Sequence, residues 1–172
     1  MQALSDWMTS LGLIDIVNAW DWLWPLCEMF HFIGMALLIG TVGIIDVRIL
    51  GMAKGLPIAA LEKLVPIGVA GFVMNAVTGF VFVAGNPTGG PIAYLENQAL
   101  QIKLVLMLIA GINLLLFYVT GISAQAAAVD AAGDAAPSAK AVAATSLIMW
   151  FGVIFFGRLI MYNDTLLLFL GL

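Results

Sequence analysis

Residues 25–50 read PLCEMFHFIGMALLIGTVGIIDVRIL, and this stretch decides the fold class. It is apolar for longer than the roughly 20 residues that a helix needs to cross a bilayer. Pro25 suits the first turn of a helix, where its missing N–H is not needed. Glu28, His31, Asp46 and Arg48 are its ionisable residues other than Cys27. Three further stretches repeat the pattern, so four spans are expected at about 24–50, 64–85, 98–122 and 140–162. The second opens on Pro66, and Gly121 is a C-terminal stop signal for the third. Helices are favoured because each backbone polar group must be satisfied within its own segment.

The composition agrees. Hydrophobic residues make up 63% of the 172 and charged residues 9%, and the mean hydropathy is +1.12. Soluble domains carry about 25% charged residues, so lipid must cover much of this chain. A soluble enzyme, a basic nucleic-acid module and a disordered protein are excluded on that count. The single cysteine, Cys27, excludes an internal disulfide framework and an all-cysteine zinc site.

The expected architecture is all-α: an integral membrane four-helix bundle over residues 23–163, an interfacial amphipathic helix over 1–22 and a short apolar tail over 164–172. In the N-terminal segment Leu4, Trp7, Met8, Leu11, Ile14 and Val17 recur at helical spacing. Trp20, Trp22 and Trp24 then form an aromatic belt. The segment lacks the basic start and A-x-A-like site of a signal peptide. Links are expected at 51–60, at 86–97 (NPTGGPIAYLEN) and in the Ala-rich stretch 123–139. Arg48, Lys54 and Lys63 flank the first link and Lys140 flanks the third. The positive-inside rule therefore places those two links in the cytoplasm and both termini outside, in a bacterial inner membrane. The lipid bilayer is the first expected partner; a homo-oligomer or a larger membrane complex is the second, and nucleic acid is not expected.

Ionisable groups inside spans are functional candidates by default. Glu28 and His31 are one turn apart near the outer end of the first span, Lys103 lies near the outer end of the third and Arg158 near that of the fourth. Alternating helix directions put all four in one outer layer, with Tyr162 just beyond on the Arg158 face. Three chemistries are open for this layer. His31 could ligate the iron of a haem b while Lys103 or Arg158 pairs with its propionates. Since the chain has one histidine, a sixth ligand would have to be a thioether such as Met107 or a second copy of His31. Alternatively Cys27, His31 and Met35, spaced i, i+4, i+8, offer soft ligands for copper. Finally, Glu28, His31, Lys103 and Arg158 could simply satisfy one another. Haem binding with electron transfer or redox sensing on the outer side leads, with an accessory or scaffold subunit and a copper-binding protein as alternatives. An electron carrier or accessory subunit is expected over an enzyme with its own substrate. Asn75 and Asn113 are expected to make an interhelical hydrogen bond, Asp46 and Arg48 to reach out to the cytoplasmic boundary, and the glycines within the spans to allow close helix approach.

The segments EMFHFIGMALLIGTVGIIDVRILG, GFVMNAVTGFVFVAGNP, YLENQALQIKLVLMLIAGINLLLFY and MWFGVIFFGRLIMY, with their E-x-x-H, D-x-R, Y-L-x-N, K-L and G-R-L-I-x-Y elements, resemble small bacterial four-helix inner-membrane proteins of unknown function. That group is similar in architecture to b-type cytochrome and copper-resistance membrane proteins. The resemblance implies the four-helix fold and, by analogy with the cytochromes, His31 as an axial ligand. Tyr118 stands where a second membrane histidine would be expected.

Overall fold

The computed structural model describes residues 1–162, so the apolar tail expected over 164–172 lies outside the described residues. The described chain is all-helical. Four stretches are long and apolar enough to cross a membrane: Leu23–Ile49, Ile58–Ala84, Gln98–Val119 and Pro137–Tyr162.

The first is α3 (Leu23–Ile49). A single turn, α4 (Ile58–Leu61), and a short 3-10 turn lead into α5 (Val65–Ala84), with Pro66 in its first turn. Then comes α7 (Gln98–Val119), whose first turn is capped by the Asn97 side chain accepting from Leu100 N. Gly121 ends it by adopting a φ of 74°, a left-handed conformation that favours glycine. The last is α9 (Pro137–Leu159), which begins on its proline. Observed and expected boundaries differ by a few residues, with α9 starting earlier because Pro137 can serve as its first helical residue.

The four long helices form two antiparallel pairs. In the first, α3 and α5 cross through glycine. A Cβ on Gly71 would lie 2.6 Å from Gly34 O, and one on Gly34 would lie 2.8 Å from Gly71 O. Backbones can meet that closely only where both residues lack side chains. In the second pair, α7 packs on α9: Gly152 accommodates Leu106, and Asn113 Nδ2 donates to Val142 O at 3.0 Å. The pairs are joined along α3 and α9, whereas α5 and α7 scarcely touch. Of the two asparagines expected to bond between helices, Asn113 does so. Asn75 instead donates to Gly71 O within its own helix.

The N-terminal segment is two helices, α1 (Gln2–Ser10) and α2 (Leu13–Ala19), rather than one. Gly12, at φ 68°, breaks the run. Met8 and Val17 are buried, while Leu4, Trp7 and Leu11 stay exposed. These helices pack on the far end of α5 and on α6 (Gly90–Leu95), in the second link. This may be called the tryptophan end. The third link carries α8 (Ile122–Ala127) and, beyond it, a turn that folds onto the first link at the opposite end. There Gly55 N donates to Ala131 O at 2.9 Å, and Asp134 bridges Lys54 (2.8 Å) and Lys140 (3.1 Å).

That opposite end is built on Arg48, and here the expectation of a side chain reaching out to the boundary fails. Arg48 is fully buried. Its Nε donates to Leu56 O at 2.7 Å, and Nη2 donates to Asp130 O (3.1 Å), Ala131 O (2.9 Å) and Gly133 O (3.3 Å). The planar fork thus ties the end of α3 to both links. The surrounding apolar cluster includes Ile49, Ile58, Phe117, Ala126 and Ala139. Asp46 is also buried rather than reaching out.

Candidate functional site

Two polar regions lie within the four long helices, one at each end of α3.

At the tryptophan end, His31 faces α5. Its Nδ1 lies 2.8 Å from Thr78 Oγ1, and Thr78 Oγ1 donates to Met74 O at 2.7 Å. The His31 ring is held through Nδ1, and no other hydrogen bond of the ring is found among the described residues, so Nε2 is unengaged there. The ring also packs on Phe82, 5.2 Å between centroids. Lys103, half-buried on α7, lies along Gly157 of α9, where a Cβ would come 3.5 Å from its Nζ. It is within electrostatic reach of His31. Glu28 is exposed and accepts from Trp24 Nε1 at 3.1 Å. Arg158 is exposed as well and sits over the Tyr162 ring at 5.7 Å.

The five residues singled out in the sequence therefore share one end of the molecule, but they form small separate groups. His31 is near Lys103, Glu28 is on Trp24, and Arg158 is on Tyr162. Among the described residues no hydrogen bond or ion pair joins Glu28, His31, Lys103 and Arg158 to one another. No three His, Cys, Asp or Glu side chains among the described residues come together as a metal-binding group. Sequence reasoning missed Tyr94 of α6. Burial first, and then the Glu28 carboxylate, hold its phenol above the usual range, which places it beside this layer.

At the other region, α3, α5, α7 and α9 enclose a cavity of about 230 Å³. It lies where α5 and α7 fail to close. Val69 and Phe72 on one side of this gap, and Gly111, Leu114 and Tyr118 on the other, line the cavity and are also exposed on the outer surface of the helices. The cavity therefore has a lateral mouth. Its walls are mostly apolar and aromatic, and its polar groups are Asp46, Ser146, Asn113 and Thr41, besides the Tyr118 hydroxyl.

Asp46 is the unusual one. Its residue is 6% exposed, Ser146 of α9 stands beside its carboxyl as a hydrogen-bonding neighbour, and its Oδ2 is buried with no partner. A buried acceptor left unpaired costs about 1–3 kcal/mol. Few native groups are left so, and each calls for an explanation such as a functional role. The sequence held two signals for it: an ionisable residue inside a span, and the D-x-R spacing with Arg48. Its setting could not be read there, because it depends on α5 and α7 staying apart.

No family model, no curated protein and no solved structure matches this chain. Function must therefore be argued from these two regions.

Proposed function

We propose that the chain is an inner-membrane four-helix protein that binds a small, mostly apolar, membrane-soluble ligand in the cavity beside Asp46. In this topology the Arg48 end is cytoplasmic and the tryptophan end, with both termini, is outside. The basic residues Arg48, Lys54, Lys63 and Lys140 favour that orientation, and the packing of the first link against the third is consistent with it.

The observation that carries the proposal is a buried aspartate with one unpaired oxygen among the residues that line a cavity open sideways between two apolar helices. A ligand dissolved in the hydrocarbon layer reaches such a mouth without crossing water. The volume of about 230 Å³ exceeds the roughly 150 Å³ of an apolar cavity that takes benzene, and falls below the roughly 300 Å³ where drug-sized sites begin. A short alkyl or single-ring body suits it. Ligand uptake also accounts for the Oδ2 vacancy in bonding, since a polar head would supply the missing donor.

Trp150 lines the cavity, whereas the other four tryptophans precede α3 or lie in its first turn. Quenching of Trp150 by 1-bromooctane in lipid nanodiscs tests the proposal. Saturable quenching that disappears in Trp150→Phe is expected. Quenching that rises linearly with bromooctane and is shared by all the tryptophans would contradict it.

A second proposal has one specific observation in its favour. Thr78 holds the His31 ring through Nδ1 and leaves Nε2 unengaged, an arrangement used by histidines that ligate metals. His31 thus fits as one axial ligand of a haem b, and Lys103 as a cation near it. Arg158 and Glu28 are turned to other partners, and the cavity beside Asp46 does not include His31. A haem, when bound, would supply one-electron chemistry; the chain's own part would be the orientation of His31 by Thr78. A visible spectrum of protein from a haem-supplied membrane decides this. A Soret band lost in His31→Ala supports it, and a featureless spectrum overturns it.

A further inference from the structure

We infer that the ligand of the Asp46 cavity carries a protonated amine as its head, so that the site is selective for small lipophilic ammonium ions. This rests on the proposed function above and adds the chemistry of recognition.

The cavity wall carries one acid and no basic residue. That acid, Asp46, has a buried Oδ2 with no hydrogen-bond partner. Ser146 stands beside the Asp46 carboxyl as a hydrogen-bonding neighbour. Asn113 Nδ2 gives one of its two hydrogens to Val142 O, and its Oδ1 is an acceptor. No lysine or arginine lines the cavity. Arg48, two residues from Asp46, is directed to the backbone carbonyls of the two links. A ligand bearing a carboxylate or phosphate would meet an acid and no lysine or arginine. A ligand bearing a carbonyl could take a hydrogen from Thr41, Tyr118, Trp150 or Asn113 but would leave Asp46 Oδ2 without one. An ammonium ion supplies both missing items: hydrogen for Oδ2 and Asn113 Oδ1, and a positive charge for a carboxylate held away from water.

The apolar part of the wall supports the same choice. Phe72, Phe117, Tyr118 and Trp150 all contribute to the lining. Aromatic faces attract cations, more so when the cation is desolvated. An acid and several aromatic rings in a cavity with no competing cation make a setting for an organic cation. The lateral mouth adds a selection of its own, since an inorganic ion would not arrive through hydrocarbon. The amine must therefore carry an apolar body that partitions into the bilayer, with its head near the interface until it enters.

Three ligands with the same body and the same quencher separate the possibilities: 8-bromooctylamine, 8-bromooctan-1-ol and 1-bromooctane. Each is titrated into the full chain in nanodiscs of zwitterionic lipid, and saturable quenching of Trp150 is read. The comparison is repeated in Asp46→Asn, which keeps the size of the side chain. The expected result is that the amine binds at least about tenfold tighter than the alcohol or the bromoalkane, as a charge-assisted hydrogen bond would give. In Asp46→Asn the amine should fall to the level of the other two while 1-bromooctane is unchanged. Equal binding of all three ligands, insensitive to Asp46→Asn, would overturn the ammonium inference and leave the apolar cavity standing. An alcohol that matches the amine would overturn it too. If no ligand gives saturable quenching in the wild-type chain, the cavity proposal fails and this one with it. Should Asp46→Asn not fold, Ser146→Ala serves in its place, since loss of the Ser146 hydrogen bond alters the carboxylate without removing it, and a change confined to the amine is again expected.

Discussion

Arg48 and Asp46 stand two residues apart on one helix, and both are sealed from water, yet their environments are opposites. Arg48 spends its guanidinium hydrogens on backbone carbonyls from residues 56 and 130–133. Asp46 faces the other way into a cavity and leaves one oxygen without a partner. Burial of a charge does not by itself mark a functional site. A charge whose hydrogen bonds are all made within the chain is part of the scaffold. One whose bonding is unfinished, beside open space, is a candidate for binding something else.

The contrast is most easily broken at Arg48. Truncation in Arg48→Ala removes the donors of four carbonyls in a region closed to water. A loss of about 3–5 kcal/mol of stability is expected, as for other broken buried charge networks. Arg48→Lys should recover only part of it, because an ammonium cannot reproduce the fork. Unfolding in mixed micelles measures both, and faster proteolysis of the 128–136 link should accompany the loss. Unchanged stability in Arg48→Ala would remove the distinction between the two residues.

A somewhat smaller effect is expected at Gly71, where α3 and α5 meet. The added methyl of Gly71→Ala would come 2.6 Å from Gly34 O and 2.8 Å from Leu38 N, both backbone atoms that cannot turn aside. The helices must separate, at a cost of about 1–3 kcal/mol. Gly111→Ala on the cavity wall is the control. Nothing lies within 4 Å of its new Cβ, so it should leave stability unchanged.

Asp46→Leu sharpens the comparison from the other side. It removes the unpaired oxygen and fills part of the cavity, so the ligand-free protein should be as stable as wild type, or more stable by about 1 kcal/mol. A large loss of stability would make Asp46 a scaffold residue like Arg48.

The smallest effect belongs to Asp134, on the surface beyond Arg48. Hydrogen bonds from Lys54 and then Lys140, with their charges, hold its carboxyl below the usual range. A carboxylate whose folded value is depressed stabilises the fold above its unfolded value and loses that contribution as pH falls through the folded value. Stability of wild type relative to Asp134→Asn should therefore be greater at neutral pH, begin to fall near the ordinary aspartate value of about 4, and vanish only below the depressed folded value. The difference should also shrink in high salt. A difference that grows on acidification would contradict the assignment.

Much of this fold was legible in the sequence because apolar length and helix punctuation are local. Pro66 and Gly121 mark helix ends in the positions where the structure uses them, whereas Pro137, inside the stretch read as a link, begins α9. The break at Gly12 was missed because apolar spacing continues across it, while only the backbone conformation shows the interruption. Arg48 was misjudged for a different reason. Its depth near a span end suggests a side chain reaching for water, but the third link, eighty residues further on, folds over it. That Glu28, His31, Lys103 and Arg158 share one end of the molecule follows from counting depth along each helix, and the helical spacing puts Tyr162 on the Arg158 face. Depth does not give rotation about the axis, and Glu28 turns to Trp24 rather than to the other three. The cavity lay beyond reach altogether, since periodicity does not say which pair of helices stays apart.

The most direct test sets the two ends of α3 against each other in one assay. Saturable quenching of Trp150 by 1-bromooctane is measured in the wild type, in Gly111→Leu and in His31→Ala. Leucine at position 111 occupies the cavity from a site where its Cβ meets nothing, whereas His31 lies roughly 22 Å along the helix from Asp46 at about 1.5 Å per residue. The account predicts that quenching saturates in the wild type and in His31→Ala and is lost in Gly111→Leu, with all three proteins equally folded. Quenching that persists in Gly111→Leu, or that disappears in His31→Ala, would contradict it.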